Sequence, residues 1–221
     1  MSKDASARRV LILTAVEAER EAVRRGLQGA AGFDVELAGV GPVAAAVNAT
    51  KLLAKADGQY GLVVIAGIAG GFSGQAEVGS LVVSSEIIAA DLGAETLEGF
   101  RSLDELGFGS ARVPVDPALV ARVTEALHIG GLPVTAGPVL TLSTVTGTAA
   151  SEAELTARVP GAAAEGMEGY GVAYAAHDFG LPVLEVRAIS NAVGPRDRSA
   201  WRIKDALLAL EAASARLAEV L

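Results

Sequence analysis

Short aliphatic runs alternate along this chain with longer segments of helix-forming residues, and few folds accept that alternation. Val10–Thr14, Leu62–Ala66, Leu81–Ser85 (continuing through Ile87–Ala90), Val134–Leu142 and Val183–Ile189 are nearly continuous in Val, Leu, Ile and Ala. Runs of this kind fit strands buried on both faces, as in parallel sheets covered by helices. Phe33–Ala38 alternates like a strand. Between the strands, Glu17–Leu27, Pro42–Ala56, Asp116–His128, Met167–Asp178 and Ile203–Leu221 carry helical composition. Pro42 suits a first helical turn, where its missing N–H costs nothing. Asp116 and Pro117 form a cap and first turn. Leu92–Val113, with mixed charge and scattered glycines, reads as an excursion over the sheet. The order predicts an α/β fold with a central mixed, largely parallel sheet flanked by helices. With 221 residues, 51% of them hydrophobic, and no repeat, linker or low-complexity tract, residues 1–221 are expected to form one domain.

Charge and composition exclude several classes of function. The net charge is −8, the lysines are only Lys3, Lys51, Lys55 and Lys204, and the arginines are scattered, so no nucleic-acid partner is expected. No cysteine is present to form a disulfide or a thiolate metal site. His128 and His177 share no ligand spacing, and neither a metal nor a cofactor is expected. The N-terminal MSKDASARRVLILTAVEAE places basic residues before an apolar run, but that run is about seven residues long and ends in carboxylates, unlike a signal peptide. No apolar stretch approaches the ~18 residues of a membrane span, so a cytoplasmic protein is expected.

Polar and glycine-rich stretches cluster where strands end. Gly39-Val40-Gly41-Pro42-Val43-Ala44 has the form of a dinucleotide fingerprint. It follows the second strand, however, and the next strand ends in Ala66-Gly67 rather than in a ribose-holding acid, so a tight strand-to-helix turn accounts for it better. Gly67–Gly74 reads as a loop whose glycines allow close approach to a ligand, although a plain turn has the same composition. Glu17 and Glu19 enter a helix just after the first strand, where acids also serve as dipole partners. Glu165-Gly166-Met167-Glu168-Gly169 offers carboxylates among small residues, as a solvated loop would. Arg187 lies inside an aliphatic strand and requires a partner, and Ser190-Asn191 close that strand like a binding edge.

In this order and spacing these stretches resemble the nucleosidases that cleave methylthioadenosine and S-adenosylhomocysteine, and beyond them the purine nucleoside phosphorylases, over nearly the whole chain. The resemblance implies a nucleoside phosphorylase-like fold, a small-molecule nucleoside substrate and a homo-oligomer, at least a dimer. It implies that Glu19 handles the attacking water, that Met167-Glu168 hold the ribose, and that Arg187–Ser190 precede the leaving-group residue. Ala69, Gly70, Val145 and Thr146 join the substrate-binding set on the same basis. Two positions depart from the adenosine-cleaving pattern, with Asn191 in place of Asp and Gly166 in place of Glu. Glu165–Gly171 and Ser190–Trp201 look instead like the futalosine hydrolases, which release hypoxanthine from futalosine in the alternative route to menaquinone.

The chemistry fits those residues. Breaking a C1′–N9 bond leaves positive charge on the sugar and negative charge on the purine. Glu168 suits the cis-diol, Met167 the sugar face, and Glu19 a water aimed at C1′. The Asn191 amide can donate to O6 of a 6-oxopurine and accept from N7–H, which argues for hypoxanthine or guanine over adenine. Arg196, Arg198 and Trp201 are expected to close over the 5′ end, where the benzoate-bearing group of futalosine needs a cation and a flat apolar face. The same arginines would pair with Asp197 or Asp205 in a surface loop. A phosphorylase, a non-catalytic nucleoside binder and a dinucleotide-binding protein remain as alternatives.

Overall fold

The aliphatic runs become strands of a single sheet. The structure is a computed structural model that describes residues 9–221. Residues 1–8, including Lys3 and most of the basic stretch weighed above as a possible leader, lie outside the described residues. Strands β1 (Arg9–Thr14), β2 (Phe33–Leu37) and β3 (Tyr60–Gly71) run parallel, as do β3 and β10 (Val183–Ala192). β4 (Leu81–Ala89) is parallel to β8 (Val134–Thr141), and β8 to the short β9 (Ala164–Gly166). The antiparallel pairs β10–β4 and β9–β3 link the two groups. Strands β3, β10, β4, β8 and β9 therefore close a ring, from which β1 and β2 extend as a wing.

Helices cover the sheet as their apolar faces require. α1 (Glu17–Leu27) packs on α7 (Ile203–Val220), α2 (Pro42–Ala56) on α6 (Gly169–Asp178), and α4 (Pro117–Ile129) on α7 and β4. The Asp116 carboxylate accepts the Ala118 N–H, capping α4 as its sequence suggests. Buried Leu11, Ile12, Val64, Leu184 and Val186 from the strands meet Ala22, Ala49, Ala173 and Leu210 from the helices. The many alanines let helices lie close to the sheet.

Several segments differ from the sequence reading. Gly67–Gly74 is not a loop throughout, because β3 continues to Gly71 and its last residues pair with both β9 and β10. Glu165 is not in a solvated loop; it is buried on β9. α6 starts at Gly169 rather than Met167, because Met167 and Glu168 form a bend after β9, with Glu168 as the N-cap of the helix. α5 (Ala149–Arg158) was not anticipated, and the reason is visible in its single buried residue, Leu155, which gives no apolar period. The excursion holds a hairpin of β5 (Gly93–Thr96) and β6 (Gly99–Ser102), the short α3 (Leu103–Leu106), and β7 (Arg112–Pro114), which pairs with β4. Among the described residues no helix is long and apolar enough to cross a membrane.

Candidate active site

The carboxyl ends of β1, β3, β9 and β10 meet at one cleft, and each brings a polar group to it. β1 ends at Thr14, and Glu19 follows in the first turn of α1, where backbone N–H groups have no helical partner. Its carboxylate turns back to use them. Oε2 accepts from Ala15 N (2.9 Å) and Val16 N (3.2 Å), and Oε1 reaches across to Ile68 N on β3 (2.9 Å). Burial pushes the Glu19 carboxyl above the ordinary value of 4.5, against the pull of Arg187 and these N–H donors. Glu17 faces solvent and pairs with Arg20 at 2.8 Å.

Arg187 finds the partners that a guanidinium in an aliphatic strand requires. Its Nε donates to Glu185 Oε1 (2.7 Å), Nη2 to Glu168 Oε2 (3.2 Å) and Nη1 to the Ile68 carbonyl (3.2 Å). Burial works against its charge, but Glu185, Glu168 and Glu19 outweigh burial and hold its pKa above the ordinary arginine value. Glu185 is fully buried and burial pushes its carboxyl up; its Oε2 has no hydrogen-bond partner among the described residues. Glu168 is fixed from a third side by the Gly41 N–H (3.2 Å). The Gly39–Ala44 stretch is thus a turn, with Gly41 at φ 88° capping α2, that presents an N–H to Glu168. Glycine is required where this cluster packs. A Cβ on Gly67 would lie 2.7 Å from Glu19 Oε1 and 2.8 Å from Arg187 Nη1, and one on Gly166 would lie 2.8 Å from Arg187 Cζ. Gly166, one of the two departures noted in sequence, is what leaves room for the guanidinium.

Most residues singled out in sequence line the cleft: Glu19, Ala69, Gly70 and Val145, with Met167, Glu168, Ser190, Asn191 and Trp201 around them. The Asn191 amide donates to the Ala192 carbonyl (2.9 Å), and its oxygen accepts from Ser190 Oγ (2.8 Å). Four expected residues stand elsewhere. Arg187 lies behind the wall formed by Glu168. Thr146 lies behind Glu165, donating its N–H (2.9 Å) and hydroxyl (2.5 Å) to that carboxylate. Arg196 and Arg198 stand outside, their guanidinium carbons 5.1 and 5.9 Å from the Trp201 ring centroid. Neither makes an ion pair among the described residues: Asp205 pairs with Arg202, and Asp197 accepts from Ser199.

Two acids were missed as site groups. Glu165, 5% exposed, lines the cleft beside Asn191 and Gly70. Its three-residue strand is too short for any period to reveal. Glu185 had a readable signal: it lies two residues before Arg187, on the same face of one strand. Among the described residues, those that line the cleft include three carboxylates and no lysine, arginine or histidine.

Comparison with known proteins fits this arrangement. Residues 15–221 match the Phosphorylase superfamily. The chain is 50% identical to futalosine hydrolase of Streptomyces coelicolor over 96% of each chain. It is 45% identical to futalosine hydrolase of Acidothermus cellulolyticus, covering 94% of this chain and 89% of the relative. The chain belongs to the phosphorylase superfamily, in its futalosine hydrolase family. The fold of this family member is also that of the solved futalosine hydrolase of Helicobacter pylori strain 26695, with a TM-score of 0.82 at 17% identity over 98% of this chain and all (100%) of that one. In this member of the futalosine hydrolase family, the cleft is walled by carboxylates, and no cation lines it among the described residues.

Proposed function

We propose that this protein hydrolyses the N-glycosidic bond of futalosine and releases hypoxanthine, a step of the alternative route to menaquinone. One observation carries the choice of water over phosphate. Glu19, Glu165 and Glu168 are the ionisable groups lining the cleft, and no lysine or arginine among the described residues stands there to neutralise a phosphate. Glu19 accepts the proton of a water whose oxygen bonds to C1′, while the C1′–N9 electron pair passes to the purine. Glu168 has acceptor capacity left for the 2′,3′-diol, and its negative charge lies beside the developing ribose cation. Met167 supplies an apolar surface to the sugar. The Asn191 amide keeps one N–H for O6 and one lone pair for an N7–H.

Asn191 sets the expected preference. Hypoxanthine release from futalosine should exceed adenine release from its 6-amino counterpart, and Asn191→Asp should shift the ratio toward adenine. The ratio of the two kcat/KM values, measured for both proteins, tests the assignment. Equal rates on the two bases in the unaltered protein would contradict it.

A further inference from the structure

We infer that Glu165 is a second base-reading residue, whose carboxylate accepts the N1–H of a 6-oxopurine across the cleft from Asn191. The inference rests on the purine nucleoside reading above and assigns a group that this reading leaves unused.

Strand register brings the two residues abreast. Gly70 on β3 is the partner of Asn191 on β10 and, on its other side, of Glu165 on β9. Neighbouring strands lie roughly 4.8 Å apart, so the Asn191 and Glu165 backbones stand about 10 Å apart. Gly70 puts no side chain between them. A Cβ there would come 3.0 Å from Val193 Cγ2, 3.3 Å from Asn191 Nδ2 and 3.5 Å from Glu165 Cγ, so the amide and the carboxylate side chain converge over the glycine beside the Val193 methyl, and both line the cleft. A flat base in the cleft against this wall presents one edge to each. With N7 and O6 toward Asn191, the N1 side faces Glu165.

The carboxylate is placed for that role. Thr146 donates to both of its oxygens, N–H to Oε1 and Oγ1 to Oε2, which fixes the group while leaving acceptor capacity toward the cleft. No cation pairs with it among the described residues. Burial and Glu152 push its pKa up while Thr146 pulls it down, and with one Thr146 donor on each oxygen a lone pair is left for a ligand N–H. Hypoxanthine and guanine carry a proton on N1. Adenine carries a lone pair there, which would face the carboxylate. Asn191 and Glu165 thus read different atoms of the same base, and each disfavours the 6-aminopurine.

The test uses inosine and 1-methylinosine with the full chain and its Glu165→Ala variant, following release of the free base. The unaltered protein should favour inosine by roughly 10–100-fold, the value of one hydrogen bond to a charged group. Glu165→Ala should lower kcat/KM for inosine and bring the two substrates within about threefold. A variant that loses both substrates in proportion would overturn the inference and make Glu165 structural or a general acid. Equal use of both substrates by the unaltered protein would overturn it even if the variant fails to fold. Calorimetric binding of hypoxanthine and 1-methylhypoxanthine separates this from the parent reading. A preference for hypoxanthine in a protein that cleaves neither nucleoside would uphold Glu165 and defeat the hydrolase assignment, whereas equal binding would defeat the inference.

Discussion

Glu19 is 3% exposed, yet three backbone N–H groups donate to its carboxylate and Arg187 lies near enough to pull its pKa down. A general base needs that balance: burial makes the carboxylate basic, and the donors keep it ionised and aimed. Activity requires the charged form. Because burial wins and the pKa sits above 4.5, kcat/KM should fall as pH drops through a value higher than an ordinary glutamate's. Glu19→Gln should lower turnover roughly 10²–10⁴-fold with little change in substrate binding. Glu17→Gln, whose parent side chain is exposed and paired with Arg20, should leave both nearly unchanged. Single-turnover rates of the two variants across pH check this, and similar losses in both would remove any special role for Glu19. The sign for stability is opposite to that for activity. Glu19, Glu165 and Glu185 bind protons more tightly folded than unfolded, so their contribution to stability is complete below 4.5 and declines as pH rises through their raised pKa values.

At the scale of elements, the strand ends carry the polar groups of the cleft, and the segment after β10 stands at its side. Beyond Asn191, the chain turns through Gly194-Pro195 and a short 3-10 turn, Arg198–Ala200, before α7. Trp201 lines the cleft while Arg196 and Arg198 stand over its ring, a flat face and two cations that suit a benzoate-like 5′ group. At least one of Arg196→Ala and Arg198→Ala should weaken use of futalosine, by ~1.5–3 kcal/mol for a lost hydrogen bond to a charged group, while hardly changing inosine cleavage. Parallel losses on both substrates would make the segment structural. This segment could be read in sequence because Arg, Trp, Gly and Pro mark it directly, and so could α1, α2 and the long strands, whose apolar periods are strong. β9 and α5 could not. Three residues carry no period, and a helix burying only Leu155 shows no apolar stripe. The Gly67–Gly71 stretch misled for a physical reason: glycine signals a loop locally, but here it lets β3 pass between Glu19, Arg187 and two neighbouring strands.

Across the whole molecule, a ring of five strands and its wing bring four strand ends to one cleft, with Glu19 after β1 and Glu165 and Glu168 on and after β9 as its acids, above a buried cluster with a single guanidinium. That charge pattern repels anions. It is the feature that most separates a hydrolase from a phosphorylase on the same fold, since one must admit water and the other phosphate. The direct measurement is hypoxanthine release from futalosine by the purified chain in a phosphate-free buffer and again with added inorganic phosphate, with the sugar product identified. The expected result is the same rate in both, with a free reducing sugar and no sugar 1-phosphate. Release that depends on phosphate and yields the 1-phosphate would contradict the assignment of Glu19 to water and of the cleft to hydrolysis.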